Sequence, residues 1–195
     1  VFGSAVTGRP GASVSTSGVG AVGSIAMLPD DRALVTRFAG SINQIIRIAP
    51  DGTGTVVVAA SGSGPVRGLG QLRTDGAGNA YCRGRNATGN TLFRLTTGGV
   101  VEDLESWLPD RNLGDDLSVS ADGSVAFTAS VLGTFGVYAR VGGTTQRVAA
   151  VGDVVATRPI TSLLLGADAW DGQGRLLLGF SDGLGPTASG YLRAT

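Results

Sequence analysis

Apolar residues along this chain come in short runs, and glycine and aspartate break the runs at regular intervals. Between Ser120 and Gly143 the sequence SADGSVAFTASVLGTFGVYARVGG reads as a turn, a strand, a hairpin loop, a second strand and another turn. Versions of this stretch occur four times. The apolar pairs Ala33-Leu34, Ala80-Tyr81, Ala126-Phe127 and Leu176-Leu177 set the register, with a period of about 50 residues. An acidic turn precedes each pair: LPDD, TDGAGN, SADGS and WDGQGR. Aspartate accepts local backbone hydrogen bonds in such turns, and glycine supplies positive φ. A second strand carrying an arginine follows each pair, placing Arg47, Arg94, Arg140 and Arg193 at corresponding positions.

A full unit contains four strands. In the second unit these are LGQLRTD, NAYCRGR, TLFRLTT and VVEDLESW; in the third, DLSVSAD, SVAFTAS, GVYARVG and TQRVAAVG. No long segment has a 3.6-residue apolar period between caps, so the chain is expected to be nearly free of helix, with one short turn at Glu105, Ser106 and Trp107. A four-stranded antiparallel unit repeating at this spacing points to an all-β fold, a small β-propeller of about four blades. The units run approximately over residues 23–67, 68–113, 114–165 and 166–195, the last completed by residues 1–10. That completion rests on the likeness of AVTGRPGA near the start to VVATRPIT after the third unit, and it would remove exposed strand edges. A larger propeller of which this is a part, or a β-sandwich, would also fit the period.

The third unit, with Ala126 and Phe127 at the A-F positions, resembles the repeat of bacterial exported proteins carrying an N-x-x-G-x-x-A-F motif. More loosely it resembles other Asp-Gly-rich propeller repeats. The resemblance implies a propeller-like, exported and non-enzymatic protein.

Composition narrows the chemistry. The 33 glycines alternate with apolar and hydroxyl residues, which suits short strands and tight turns better than a disordered linker. Formal net charge is zero, and all 15 basic residues are arginine. There is no imidazole for base catalysis or zinc ligation and no lysine for Schiff-base chemistry. A neutral balance argues against nucleic acid as a partner. No apolar run approaches the about 18 residues of a membrane-spanning helix. The single cysteine, Cys82, excludes an intrachain disulfide, and its apolar setting marks it as a core residue.

Four arginines, Arg9, Arg67, Arg111 and Arg158, fall in the connections between successive units. Together they could present guanidinium forks to an anion or carboxylate, or they could clamp neighbouring units through aspartates and carbonyls. Asp110, Asp115 and Asp116 are the densest acidic cluster. Asp115, Asp116 and Asp168 are the candidates for a divalent-ion site, although their spacing is not that of an EF-hand loop. Trp107 and Trp170 could anchor a partner or stack on a sugar, or pack between units. The sequon Asn86-Ala87-Thr88 lies in a predicted hairpin loop.

These features lead to the expectation of a non-catalytic extracytoplasmic binding or scaffolding module without a cofactor. Its partners would be other protein subunits, and it would form an accessory part of a larger assembly. Two alternatives are a metal-dependent propeller hydrolase or lactonase and a carbohydrate-binding propeller.

Overall fold

The computed structural model describes residues 21–39, 42–110, 112–171, 173–183 and 189–194. The expected N-terminal closing strand, residues 1–10, lies outside them. The chain divides into two compact units, one ending at Leu104 and the other starting at Glu105.

In the first unit, β1 (Ala21–Met27), β2 (Ala33–Ala39), β3 (Ile42–Ile48) and β4 (Gly54–Ala59) form one antiparallel sheet in sequence order. A second sheet follows the same plan with β5 (Gly68–Thr74), β6 (Ala80–Arg85), β7 (Asn90–Leu95) and β8 (Val101–Asp103). In the second unit, β9 (Leu113–Val119), β10 (Val125–Val131), β11 (Thr134–Val141) and β12 (Thr144–Ala150) repeat it again. A small hairpin, β13 (Val154–Val155) and β14 (Arg158–Pro159), leads to a three-stranded sheet of β15 (Ser162–Trp170), β16 (Leu176–Ser181) and β17 (Ser189–Ala194). The one helical element among the described residues is the 3-10 turn Glu105–Trp107, where the sequence places it.

The reason for up-and-down sheets is local. Between the first and second strand of each sheet the chain makes the same turn, closed by Leu28 N to Arg32 O, Asp75 N to Asn79 O, Ser120 N to Ser124 O and Asp171 N to Arg175 O. The fourth residue of each turn has positive φ: Asp31 (63°), Gly78 (84°), Gly123 (86°) and Gly174 (72°). Glycine takes this conformation without strain, and aspartate is among the few side chains that tolerate it.

The turns correct one register. Ala33, Ala80, Val125 and Leu176 each follow the closing residue, so the third apolar pair is Val125-Ala126, one residue earlier than expected. Across the sheet, Leu34 faces Arg47, Tyr81 faces Arg94 and Leu177 faces Arg193. Ala126 faces Ala139, and Arg140 stands opposite Val125. A shift of one residue reverses the face of a strand position. Arg140 is therefore not the counterpart of the other three, and it uses its own face to lie over the Trp107 ring, 4.4 Å from the centroid.

Packing follows strand position in the sheet. In the second and third sheets the middle strands are largely buried on both faces, and Val125 to Ala129 in β10 are all inaccessible. The fourth strands β4, β8 and β12 are largely exposed. Covered middle strands read as continuous apolar runs rather than as alternation. The core between the first two sheets includes Leu34, Ile45, Val58, Leu72, Cys82 and Phe93. The core of the second unit includes Ala126, Val137, Ile160, Leu165, Leu176 and Leu178.

Candidate functional site

The first strands, β1, β5, β9 and β15, depart from regular pairing, the first three opposite the same part of the second strand and β15 nearer the turn. The ladder with the second strand shifts between Val22 and Ser24, between Leu69 and Leu72, opposite the step from Phe127 to Ala129, and between Leu165 and Trp170. Each irregular segment holds a glycine: Gly23, Gly70, Gly114 and Gly166. At two of them the reason is close approach. A Cβ at Gly23 would stand 2.3 Å from the Phe38 ring, and one at Gly114 would stand 2.2 Å from Thr128 Oγ1. The displaced chain is held by a threonine of the second strand. Thr36 Oγ1 accepts from Ser24 N (2.7 Å), and Thr128 Oγ1 accepts from Asp116 N (3.3 Å). Bulges bend a strand and re-aim its side chains, which is why they recur beside functional sites.

Hydroxyls then tie first strands of neighbouring sheets together. In the first unit Ser24 Oγ accepts from Leu72 N (3.0 Å), and Thr74 Oγ1 donates to Met27 O (2.8 Å). In the second unit Ser118 Oγ donates to Ala167 O (2.9 Å) and accepts from Ala169 N (3.1 Å). Ser118 is fully buried, so these bonds satisfy backbone groups that water cannot reach.

This construction places the acidic candidates. Asp115 and Asp116 occupy the bulge of β9, and Asp168 occupies the irregular segment of β15, between the two alanines that Ser118 holds. They are the carboxylates of the bulged segments among the described residues. Asp115 and Asp168 are exposed and Asp116 is half-buried. Asp110 stands apart, after the 3-10 turn and outside any strand. In the first unit the bulge of β5 carries Gln71 instead, whose Oε1 is buried without a hydrogen-bond partner. Neither Gln71 nor the serine clasps stood out in the sequence. The signal that could have found them is the glycine recurring inside each first strand. As to a metal, the described residues bring together no group of three or more His, Cys, Asp or Glu side chains placed to hold an ion. The three aspartates do not by themselves fit a metal centre.

The other candidates are dispersed. Arg67 is exposed at the entry to β5, and its Nε donates to Gly64 O at 3.4 Å. Arg158, in the β13–β14 hairpin, pairs at 3.0 Å with the buried carboxylate of Asp182. Arg9 and Arg111 lie outside the described residues. Trp107 is half-buried beneath Arg140, and its carbonyl accepts from Thr145 Oγ1 (2.9 Å). Trp170 packs against the second core and donates from Nε1 to Ser118 O (3.4 Å). Asn86 builds its hairpin loop, its Oδ1 accepting from Thr88 N and Gly89 N and its amide donating to Asp103. The Cys82 thiol is pushed up to about 12 by burial, which leaves it unreactive at neutral pH.

Turn carboxylates do structural work. Asp122 is held below its ordinary value by the Ser120 hydroxyl first and the Ser124 amide second. Asp171 is held low chiefly by the backbone amide of Arg175. No helix among the described residues is long and apolar enough to cross a membrane.

No family model and no curated protein matches the sequence. Solved structures do. TolB from Acinetobacter baumannii aligns over 88% of this chain and 43% of its own length, with TM-score 0.56 and 16% identity. A gluconolactonase from Xanthomonas campestris aligns over 84% of this chain and 56% of its own, with TM-score 0.53 and 15% identity. A protein provisionally named a gluconolactonase aligns over 88% and 62%, with TM-score 0.51 and 14% identity. The chain thus spans 43% to 62% of the length of these neighbours. At such identities the likeness concerns the fold, and it is of the propeller type. The expected non-catalytic scaffolding module is corrected by it, because this architecture is shared with proteins named as lactone-acting enzymes. The expectation leaned on the missing histidine and lysine. Carboxylates can carry acid–base chemistry without either, and they occupy the first strands here. All-β architecture in four-stranded antiparallel sheets is what the fold and its neighbours have in common.

Proposed function

We propose that this chain is part of a propeller enzyme that opens the ring ester of a small lactone. Asp115, Asp116 and Asp168 supply the polar groups at the reacting centre. The observation that carries the reading is the placement of all three in bulges of two neighbouring first strands, joined by the Ser118 clasp. In a propeller, first strands line the central channel, so side chains re-aimed there face a shared space. The four sheets serve as consecutive blades, in a ring of four or as a section of a larger one. Two neighbours named for gluconolactone chemistry support the substrate class.

Hydrolysis needs an activated water. A carboxylate accepts its proton as the oxygen attacks the ester carbonyl. The tetrahedral intermediate collapses with cleavage of the ring C–O bond, and the leaving alkoxide takes up the proton. The new carboxylic acid ionises and releases one proton, leaving a carboxylate and an alcohol on one open chain. No step is routed through a metal, since the described carboxylates do not assemble a site for one.

The test is proton release from a panel of aldonolactones, using the full-length protein and correcting for spontaneous hydrolysis. Asp168→Asn and the double variant Asp115→Asn/Asp116→Asn are each expected to lower kcat about 100-fold or more, the scale of a lost general base. A wild-type rate no faster than buffer for every lactone would overturn the reading.

A further inference from the structure

The first unit holds a second candidate site, in a place where the repeat lacks a charge partner. In the second sheet Arg94 faces Glu102 across the ladder. Its Nε donates to Glu102 Oε2 at 2.8 Å, and its Nη2 stands 2.5 Å from the same oxygen. The counterpart of Arg94 in the first sheet is Arg47, and the residue it faces is Thr55. Arg47 makes no hydrogen bond or ion pair among the described residues, and its Nε is buried without a partner. A buried guanidinium N–H without an acceptor is costly, which makes the position one that an incoming anion would relieve.

Arg47 borders a pocket of about 140 Å³ formed at the turn ends of the first two sheets. Leu28, Pro29 and Ala77 give it apolar walls, and Gly78 and Thr97 complete it. The space depends on Gly78, whose φ of 84° suits glycine, because a Cβ there would stand 3.3 Å from Thr97 and 3.4 Å from Pro29. The backbone N–H groups of Ala77, Gly78 and Thr97 are already committed, to Asp75 Oδ1, Asp75 O and Asn79 Oδ1. Asp30, also on the wall, is balanced by Arg32 at 3.5 Å. Arg47 is therefore the pocket's uncommitted cation.

We propose that this pocket binds a short-chain aliphatic monocarboxylate. Its oxygens take the place at Arg47 that Glu102 holds at Arg94, and its tail lies against Leu28, Pro29 and Ala77. The pairing is charge-assisted and matches the fork geometry of guanidinium. A bare inorganic oxyanion would satisfy the charge but leave the apolar walls uncovered. The inference is independent of the lactonase reading, since it uses other residues in the other unit.

The test is a titration of the full-length protein with sodium butyrate, and separately with sodium phosphate at matched ionic strength. It is read by amide chemical shifts at Gly78 and Thr97 and by thermal stabilisation. Butyrate is expected to saturate, with phosphate far weaker. Thr55→Glu rebuilds the repeat's own partner on an exposed strand position and should weaken butyrate at least tenfold, the scale of one charge-assisted hydrogen bond. Arg47→Met should do the same, and Thr55→Glu keeps the test valid if that variant fails to fold. Absence of saturation by butyrate, equal affinity for phosphate, or unchanged affinity in Thr55→Glu would each overturn the proposal.

Discussion

The first two sheets share a backbone plan and differ in what the side chains do with it. In the second sheet Asp75 sits at the first position of the turn, almost fully buried. It accepts from Ala77 N, Asn79 N and the Asn79 amide at 2.8 to 3.0 Å, and from the Tyr81 hydroxyl at 3.4 Å. Tyr81 stands beside Arg94, and Arg94 pairs with Glu102. In the first sheet the same four positions are Leu28, Leu34, Arg47 and Thr55. The turn closes with the same backbone hydrogen bonds in both. The fold therefore requires the backbone pattern and the residue at positive φ, while the polar chain is an addition that one sheet has and the other lacks. Where it is absent, an arginine and a pocket remain.

The largest effect should come from cutting the chain at its buried end. Asp75→Ala removes a carboxylate that four donors address and strands them, at a cost of about 3 kcal/mol. Denaturant unfolding measures it, and a loss within error of zero would mean that the second sheet relies on its backbone alone, as the first does. A smaller change makes the second sheet resemble the first. Glu102→Thr should destabilise by about 1 kcal/mol, since the Arg94–Glu102 pair is about one-third exposed and screened by solvent. Added salt should shrink the difference between wild type and variant.

The smallest effect concerns pH. The third sheet begins its turn with Ser120 instead of Asp75, and the carboxylate moves to Asp122. Asp122 is held below its ordinary 3.8 by the Ser120 hydroxyl. A depressed carboxyl stabilises the fold above its unfolded value, and that contribution disappears as pH falls through the folded value. Thermal midpoints should therefore drop as acid is added below pH 3.8, and Asp122→Asn should flatten the drop. An unchanged profile in that variant would remove Asp122 from the account.

Much of this architecture could be read in the sequence. The acidic turns mark where second strands start, and glycine or aspartate at positive φ is a local requirement with a local signature. The third unit differs by one residue from the expected register because β10 is buried on both faces, so Val125, Ala126 and Phe127 are equally apolar and give no alternation to read. The bulges are not legible in the sequence because their glycines merge into a Gly-rich background, and at Gly23 and Gly114 the cause lies with Phe38 and Thr128 in the adjoining strands. Ser24 and Ser118 look like ordinary strand serines until the neighbouring first strand is beside them. The aspartates were visible as residue types. Their placement in the irregular segments of two adjacent first strands is a tertiary fact that no spacing encodes.

The most direct measurement compares two aspartates of the last sheet that lie three positions apart. Asp168 belongs to the bulged first strand, whereas Asp171 is engaged in its own turn, accepting from Gln173 N and Arg175 N. Lactone hydrolysis by the full-length protein should fall about 100-fold in Asp168→Asn and stay near wild type in Asp171→Asn. Equal activity in the two variants, or no activity in the wild type, would contradict the assignment of the first-strand carboxylates to catalysis.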